Sequence, residues 1–83
     1  MLRDYIQAAL GRAHYEIIED AEPFYGEVPE LRGVWATGET LEACRNNLES
    51  TLEGWLLVRL SRNLNVPEVG GVTVTPPKEI KVV

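Results

Sequence analysis

The chain begins with apolar residues at helical spacing. Through the first 13 residues they recur every three or four positions, at Leu2, Tyr5, Ile6, Ala9, Leu10 and Ala13. This spacing places them on one face of an amphipathic helix. Because Gly11 and Arg12 are typical of a helix end, the pattern predicts a first helix over residues 1–13.

A second helical pattern begins near residue 40. Thr40 is a suitable N-cap, and Glu42 lies in the first turn, where the helix dipole favours an acidic group. The apolar positions that follow have helical spacing: Leu41, Cys44, Leu48, Leu52 and Trp55. We therefore predict a helix over residues 41–62, about 33 Å long.

Three short segments rich in strand-forming residues lie between the two helices, at 14–19, 24–28 and 34–37. Segments of turn-forming residues, each containing a proline, connect them. These segments predict a three-stranded antiparallel sheet that begins with a hairpin.

The tail after the long helix contains two segments in which apolar and polar residues alternate, 69–75 and 79–83. One of them is predicted to form a fourth short strand. The expected fold class is α+β, in one domain spanning residues 1–83. Its parts are an N-terminal helix (1–13), a core of sheet and long helix (14–62) and a tail (63–83). A chain of 83 residues makes one small domain, which hides roughly 60 to 65% of its unfolded surface.

Composition narrows the classes of function. The net charge of −5 and pI of about 4.8 have the wrong sign for direct binding of a nucleic acid backbone. Cys44 has no second cysteine for an internal disulfide, and one Cys with one His cannot complete a zinc site. The longest apolar run, Trp55 to Val58, is far too short to span a membrane, and the N-terminus lacks the pattern of a signal peptide. A cytoplasmic protein without cofactor or metal is expected.

No catalytic constellation is visible. The single histidine, His14, opens a strand pattern, and no nucleophile elbow, Cys/His pair or phosphate-binding loop accompanies it. The acidic turn at 19–23 lacks the ligand spacing of a calcium loop. The sequence therefore does not predict an enzyme.

Acidic residues are concentrated in the predicted hairpin. Residues 13–31 contain six of the 13 acids and no Lys or Arg. Such a segment can attract a basic partner, or it can serve solubility alone, and the sequence leaves both open.

The end of the long helix is apolar in nearly every direction from Trp55 to Leu60, where only Arg59 is polar. One apolar face suffices for packing on a sheet, so a second buried surface is expected. It could come from a dimer, or from the N-terminal helix or tail of the same chain. We favour the dimer, with Trp55, Leu56 and Leu60 at the seam, because the helix should extend past the sheet.

Strand alternation predicts the two faces of the sheet. The side facing the long helix should carry Tyr15, Ile17, Phe24, Val28, Val34 and Ala36. The other side should carry Ile18, Tyr25, Glu27 and Trp35. Aromatic residues bordered by acids suit a protein interface, although the N-terminal helix could cover this side instead.

The order of three segments resembles a known family. They read YEIIED at 15–20, FYGEVPELRG at 24–33 and TGETLEACRNNL at 37–48, with Asn65-Val-Pro67 further on. Over residues 15 to 60 the chain resembles the HicB-type antitoxins. The resemblance implies a partial RNase H-like β-β-β-α-β fold without nuclease activity. It also implies a HicA-type toxin as partner, a ribonuclease acting on mRNA that the antitoxin neutralises by covering its active surface.

This resemblance suggests a function for the acidic segment. A ribonuclease that binds RNA should be basic, so an acidic surface would attract it. We expect steric and electrostatic masking of the toxin through five residues: Asp20, Tyr25, Glu27, Glu30 and Trp35. The tail lacks the basic DNA-binding region of many family members, which argues against direct DNA binding. The alternatives are a stand-alone oligomeric regulatory or scaffold module without a toxin and, remotely, an RNase H-like metal-dependent nuclease.

Overall fold

The computed structural model describes residues 2–74. Its elements, in chain order, are α1 (Leu2–Gly11), β1 (His14–Ile17), β2 (Phe24–Glu27), β3 (Trp35–Gly38) and α2 (Leu41–Ser61). The three strands form an antiparallel sheet in the order β1-β2-β3. The predicted α+β class, with three antiparallel strands and two helices, is confirmed.

Local signals fix both ends of α2. The Thr40 side chain accepts a hydrogen bond of 3.0 Å from the Ala43 backbone nitrogen, as expected of an N-cap. At the other end, the Arg62 backbone N–H donates to the carbonyl groups of Leu60 and Val58. With 21 residues, α2 is about 31 Å long, whereas a four-residue strand spans only about 13 Å. The helix therefore extends well beyond the sheet, as predicted.

The side of the sheet that faces α2 is closely packed at its glycines. α2 lies over β3 and β2, and the aromatic ring of Tyr15 lies beneath Gly26. At Gly38 the first turn of α2 comes so close that a β-carbon would lie 2.7 Å from the Cα of Cys44. The predicted helix-side residues Val28, Val34 and Ala36 are buried. Ile17 is 77% exposed, because α2 does not extend over β1.

The overhanging half of α2 is covered by the same chain. α1 packs against α2, and Tyr5 and Ala9 are buried there. Leu56 is only 2% exposed and belongs to the core, while Trp55 and Leu60 are partly buried against it. The prediction that Leu56 lies at a dimer surface is therefore wrong, because α1 and the tail of the same chain cover this part of α2. Whether the chain forms oligomers stays a prediction.

The described part of the tail forms a tight turn and not a sheet strand. Val69 and Val72 exchange two backbone hydrogen bonds, of 3.0 and 2.8 Å, across Gly70 and Gly71, which both have positive φ. This turn packs on α1, where Gly70 lies against Ala8 and Arg12. The fourth strand proposed at 69–75 does not form within residues 69–74, and the alternative at 79–83 lies outside the described residues.

Candidate protein-binding face

The side of the sheet that faces away from α2 is not covered by either of the described helices. Because α1 packs on α2, no helix within residues 2–74 lies over this side. We call it the outer face, and its side chains come from all three strands: His14, Glu16, Tyr25, Glu27, Trp35 and Thr37. The question left open by the sequence is thereby answered, since α1 does not bury Tyr25 and Trp35.

An aromatic pair lies at the centre of the outer face. The rings of Tyr25 and Trp35 stack with their centroids 6.0 Å apart and their planes 25° apart. The Tyr25 hydroxyl donates a hydrogen bond of 3.0 Å to Oε1 of Glu27. Glu27 lies directly opposite Trp35 on the neighbouring strand, so these three side chains form one continuous patch.

This arrangement changes the titration of the phenol. The hydrogen bond to Glu27 raises the pKa of Tyr25, and burial and the negative charges of Glu27 and Glu16 act in the same direction. The neutral phenol is therefore the form that the fold favours.

Replacing Glu27 by alanine is expected to lower the pKa of Tyr25 toward its ordinary value of 10.0. Since the folded pKa is raised, this contribution to stability is present below pH of about 10 and is lost as the pH rises through the folded value. Ultraviolet absorbance of the phenolate measures the titration, and Tyr25→Phe identifies the curve that belongs to Tyr25. An unchanged curve in Glu27→Ala would contradict the hydrogen bond.

Glu22 adds a third carboxylate to the outer face. The Thr37 hydroxyl donates a hydrogen bond of 2.5 Å to Oε1 of Glu22, which reaches the sheet from the β1–β2 turn. Sequence reasoning did not single out Glu22 or Glu16 as site residues. Alternation along β1 could have identified Glu16, whereas the position of Glu22 depends on the path of the turn.

Two of the five predicted partner-binding residues lie elsewhere. Asp20 accepts a hydrogen bond of 3.2 Å from the Glu22 backbone nitrogen, so its side chain shapes the turn. Glu30 pairs with Arg12, whose guanidinium donates a hydrogen bond to it and lowers the pKa of Glu30. The negative charge of Glu30 is thus already matched, at the opposite end of β2 from Asp20. Tyr25, Glu27 and Trp35 lie together on the outer face.

The chemistry available to the outer face is recognition of cations. The three strands contain no Lys or Arg, while Glu16, Glu22 and Glu27 contribute three carboxylates. Among residues 2–74, no three His, Cys, Asp or Glu side chains come together in a group that could hold a metal ion. Cys44 lies on the other side of the sheet, where its thiol donates to the Ala36 carbonyl at 3.6 Å and burial raises its pKa.

A second surface runs along the groove between the helices. A cleft of about 600 Å³ is lined at its polar end by two arginines and two glutamates, Arg3, Arg45, Glu49 and Glu53. A smaller apolar cleft of about 240 Å³ continues it, between Leu2 on α1 and Leu57 on α2. Leu57 is 63% exposed. We call this surface the interhelical groove.

The fold is a small α+β domain, and one side of its sheet carries aromatic and acidic side chains. A sequence model of the family described as UPF0150-like matches residues 4–67, and the chain belongs to this family. The crystal structure of TTHA0281 from Thermus thermophilus is similar, with 51% sequence identity and a TM-score of 0.85 over 88% of this chain and 96% of that chain. None of the curated proteins compared matches the chain. No helix within the described range is both long and apolar enough to cross a membrane.

Proposed function

We propose that this chain is a HicB-type antitoxin domain that binds a HicA-type toxin and neutralises it by covering its active surface. The observation that carries the proposal is the outer face, where the partly exposed Tyr25 and the exposed Trp35 lie near three carboxylates, without a Lys or Arg from the sheet. The order of the motifs at 15–20, 24–33 and 37–48 supports the same assignment. The proposed domain is cytoplasmic, non-enzymatic and of the partial RNase H-like type.

The proposed mechanism follows from the requirements of a ribonuclease. A surface that grips RNA must be basic, because most of the binding energy comes from the phosphate backbone. The carboxylates of the outer face attract such a surface and speed the encounter. Tyr25 and Trp35 then supply apolar contact area that excludes water and RNA from the covered surface.

Reversing two charges on the outer face is expected to break the complex. The test requires a small basic protein encoded beside this gene, co-expressed and co-purified with the proposed antitoxin, and the absence of such a gene would favour the stand-alone module. We expect Glu16→Lys with Glu27→Lys to weaken binding on the order of 100-fold at low salt, because two attractive contacts become repulsive. Calorimetry or surface plasmon resonance measures this loss.

Glu30→Lys is the matched control, because Glu30 lies outside the outer face and its charge is already matched by Arg12. It should change the affinity far less than the double reversal does. Equal losses in the two variants, or no loss in the double variant, would contradict docking at the outer face. Circular dichroism confirms that each variant is folded.

A second candidate is the stand-alone oligomeric module, which the interhelical groove favours. The groove carries two positive and two negative side chains beside the exposed Leu2 and Leu57. A surface with both signs and an apolar end can match a second copy of itself. Light scattering tests this candidate, and a monomer at micromolar concentration would remove it.

A further inference from the structure

The two tryptophans of this chain differ in what lies over their rings. The guanidinium of Arg59 lies 5.1 Å from the ring centroid of Trp55, so that tryptophan already has a cation from its own chain. Trp35 is 53% exposed, and its ring contact is the stack with Tyr25. Within residues 2–74, no arginine lies over Trp35.

Glu27 lies opposite Trp35 in the register of β2 and β3, and only one of its two carboxylate oxygens accepts a hydrogen bond within residues 2–74. The Val28 backbone nitrogen donates to the Val34 carbonyl, so the next pair along the ladder, Glu27 and Trp35, is a non-hydrogen-bonded pair. In such pairs the Cα atoms lie about 4.5 Å apart and the side chains are close. The Tyr25 hydroxyl donates a hydrogen bond to Oε1 of Glu27, whereas Oε2 accepts no hydrogen bond from the described part of the chain.

An indole ring beside a free carboxylate oxygen fits one side chain better than any other. A guanidinium is planar, so it can stack on the indole while its N–H groups point toward the carboxylate. A lysine ammonium is a compact, strongly hydrated point charge and cannot satisfy both contacts equally well. An apolar side chain would leave the carboxylates without a counter-charge.

We propose that Trp35 and Glu27 form a binding site for one arginine side chain of a protein partner. This inference deepens the proposed function and rests on it, because it names the anchor by which a basic toxin would dock on the outer face. A second copy is a poor occupant, since its own outer face is acidic and the chain carries a net charge of −5.

The test uses two short peptides of equal length and charge, one built on arginine and one on lysine, added to the intact protein at low salt. The indole N–H signals of Trp35 and Trp55 are followed by NMR, with Trp55 as the internal reference. The arginine peptide is expected to shift the Trp35 signal and to bind about fivefold more tightly than the lysine peptide. In Trp35→Leu, both peptides should bind with the same, purely charge-driven affinity.

Three results would overturn the site: equal affinities in the wild-type protein, an arginine preference that survives Trp35→Leu, or a Trp35 signal that neither peptide moves. A Trp35 signal that shifts on dilution of the protein alone would also overturn it, because a second copy would then occupy the ring. Trp35 is half exposed, so the leucine variant should fold, and a thermal melt checks this. Failure of this test leaves toxin docking to be judged separately, by the charge reversals at Glu16 and Glu27.

Discussion

Replacing Gly38 by alanine is expected to destabilise the protein by about 3 kcal/mol or more. A β-carbon at Gly38 would lie 2.7 Å from the Cα of Cys44 and 2.9 Å from the carbonyl carbon of Ala43. Both are backbone atoms in the first turn of α2, so rotation of a side chain cannot relieve the clash. β3 and α2 would have to separate, which opens the buried layer between the sheet and the helix.

Gly54→Ala is the matched control for this prediction. Gly54 lies in α2, and a β-carbon there would meet nothing within 4 Å. Alanine should stabilise the exposed helix by about 0.5–1 kcal/mol. Chemical denaturation of the two variants should therefore give changes of opposite sign. If Gly38→Ala were as stable as the wild-type protein, the close approach of β3 and α2 would be wrong.

Leu56→Glu is expected to lower the free energy of unfolding by on the order of 4 kcal/mol, which is close to the whole stability of many small domains. Removing the leucine forfeits roughly 2–3 kcal/mol of apolar burial. The new carboxyl group lies where α1 covers α2, so it must either stay neutral or draw water into the core. A thermal melt followed by circular dichroism at neutral pH should show a largely unfolded chain.

Leu57→Glu, one residue further along α2, is the matched control for Leu56→Glu. Leu57 is 63% exposed, so Leu57→Glu should remain folded, with a change within about 0.5 kcal/mol. If the chain assembles through the interhelical groove, light scattering should show that this variant is monomeric. Equal stability of the two variants would contradict the rotation of α2 about its axis that buries Leu56 and exposes Leu57.

The local features of the fold could be predicted from the sequence. Thr40 caps α2 through a contact three residues away, and the apolar period of the helix is visible without any tertiary information. Alternation along the strands likewise predicts the burial of Val28 and Val34 and places Trp35 on the opposite side. These features depend on contacts between near neighbours in the sequence, or on the geometry of a single element.

The packing partner of α1 could not be predicted in the same way. An amphipathic stripe indicates that a helix buries one face, but it does not indicate the surface that receives it. Two surfaces were available, the outer face and the overhang of α2, and α1 packs on the second. For this reason Leu56 lies in the core, although its position in sequence suggested a dimer seam.

The candidate site was predicted where it follows strand alternation and missed where it depends on loops. Tyr25, Glu27 and Trp35 share a face because side chains alternate along adjacent strands. Glu30 lies away from them, and its charge is matched by Arg12, which is 18 positions away in the sequence and just outside the acidic segment. A count of the charged residues in segment 13–31 does not detect an ion pair with a residue outside that segment.

The hydrogen bond from the Tyr5 hydroxyl to the Pro67 carbonyl, 2.7 Å long, joins the two ends of the described chain. Tyr5 lies on α1, and the adjoining residues Val66 and Val69 are buried in the same cluster. α1 contacts α2 and none of the three strands, and this hydrogen bond joins the tail to it. We therefore expect α1 and the tail to open as one cooperative unit, whose amide hydrogens exchange with solvent before those of β2, β3 and the first half of α2.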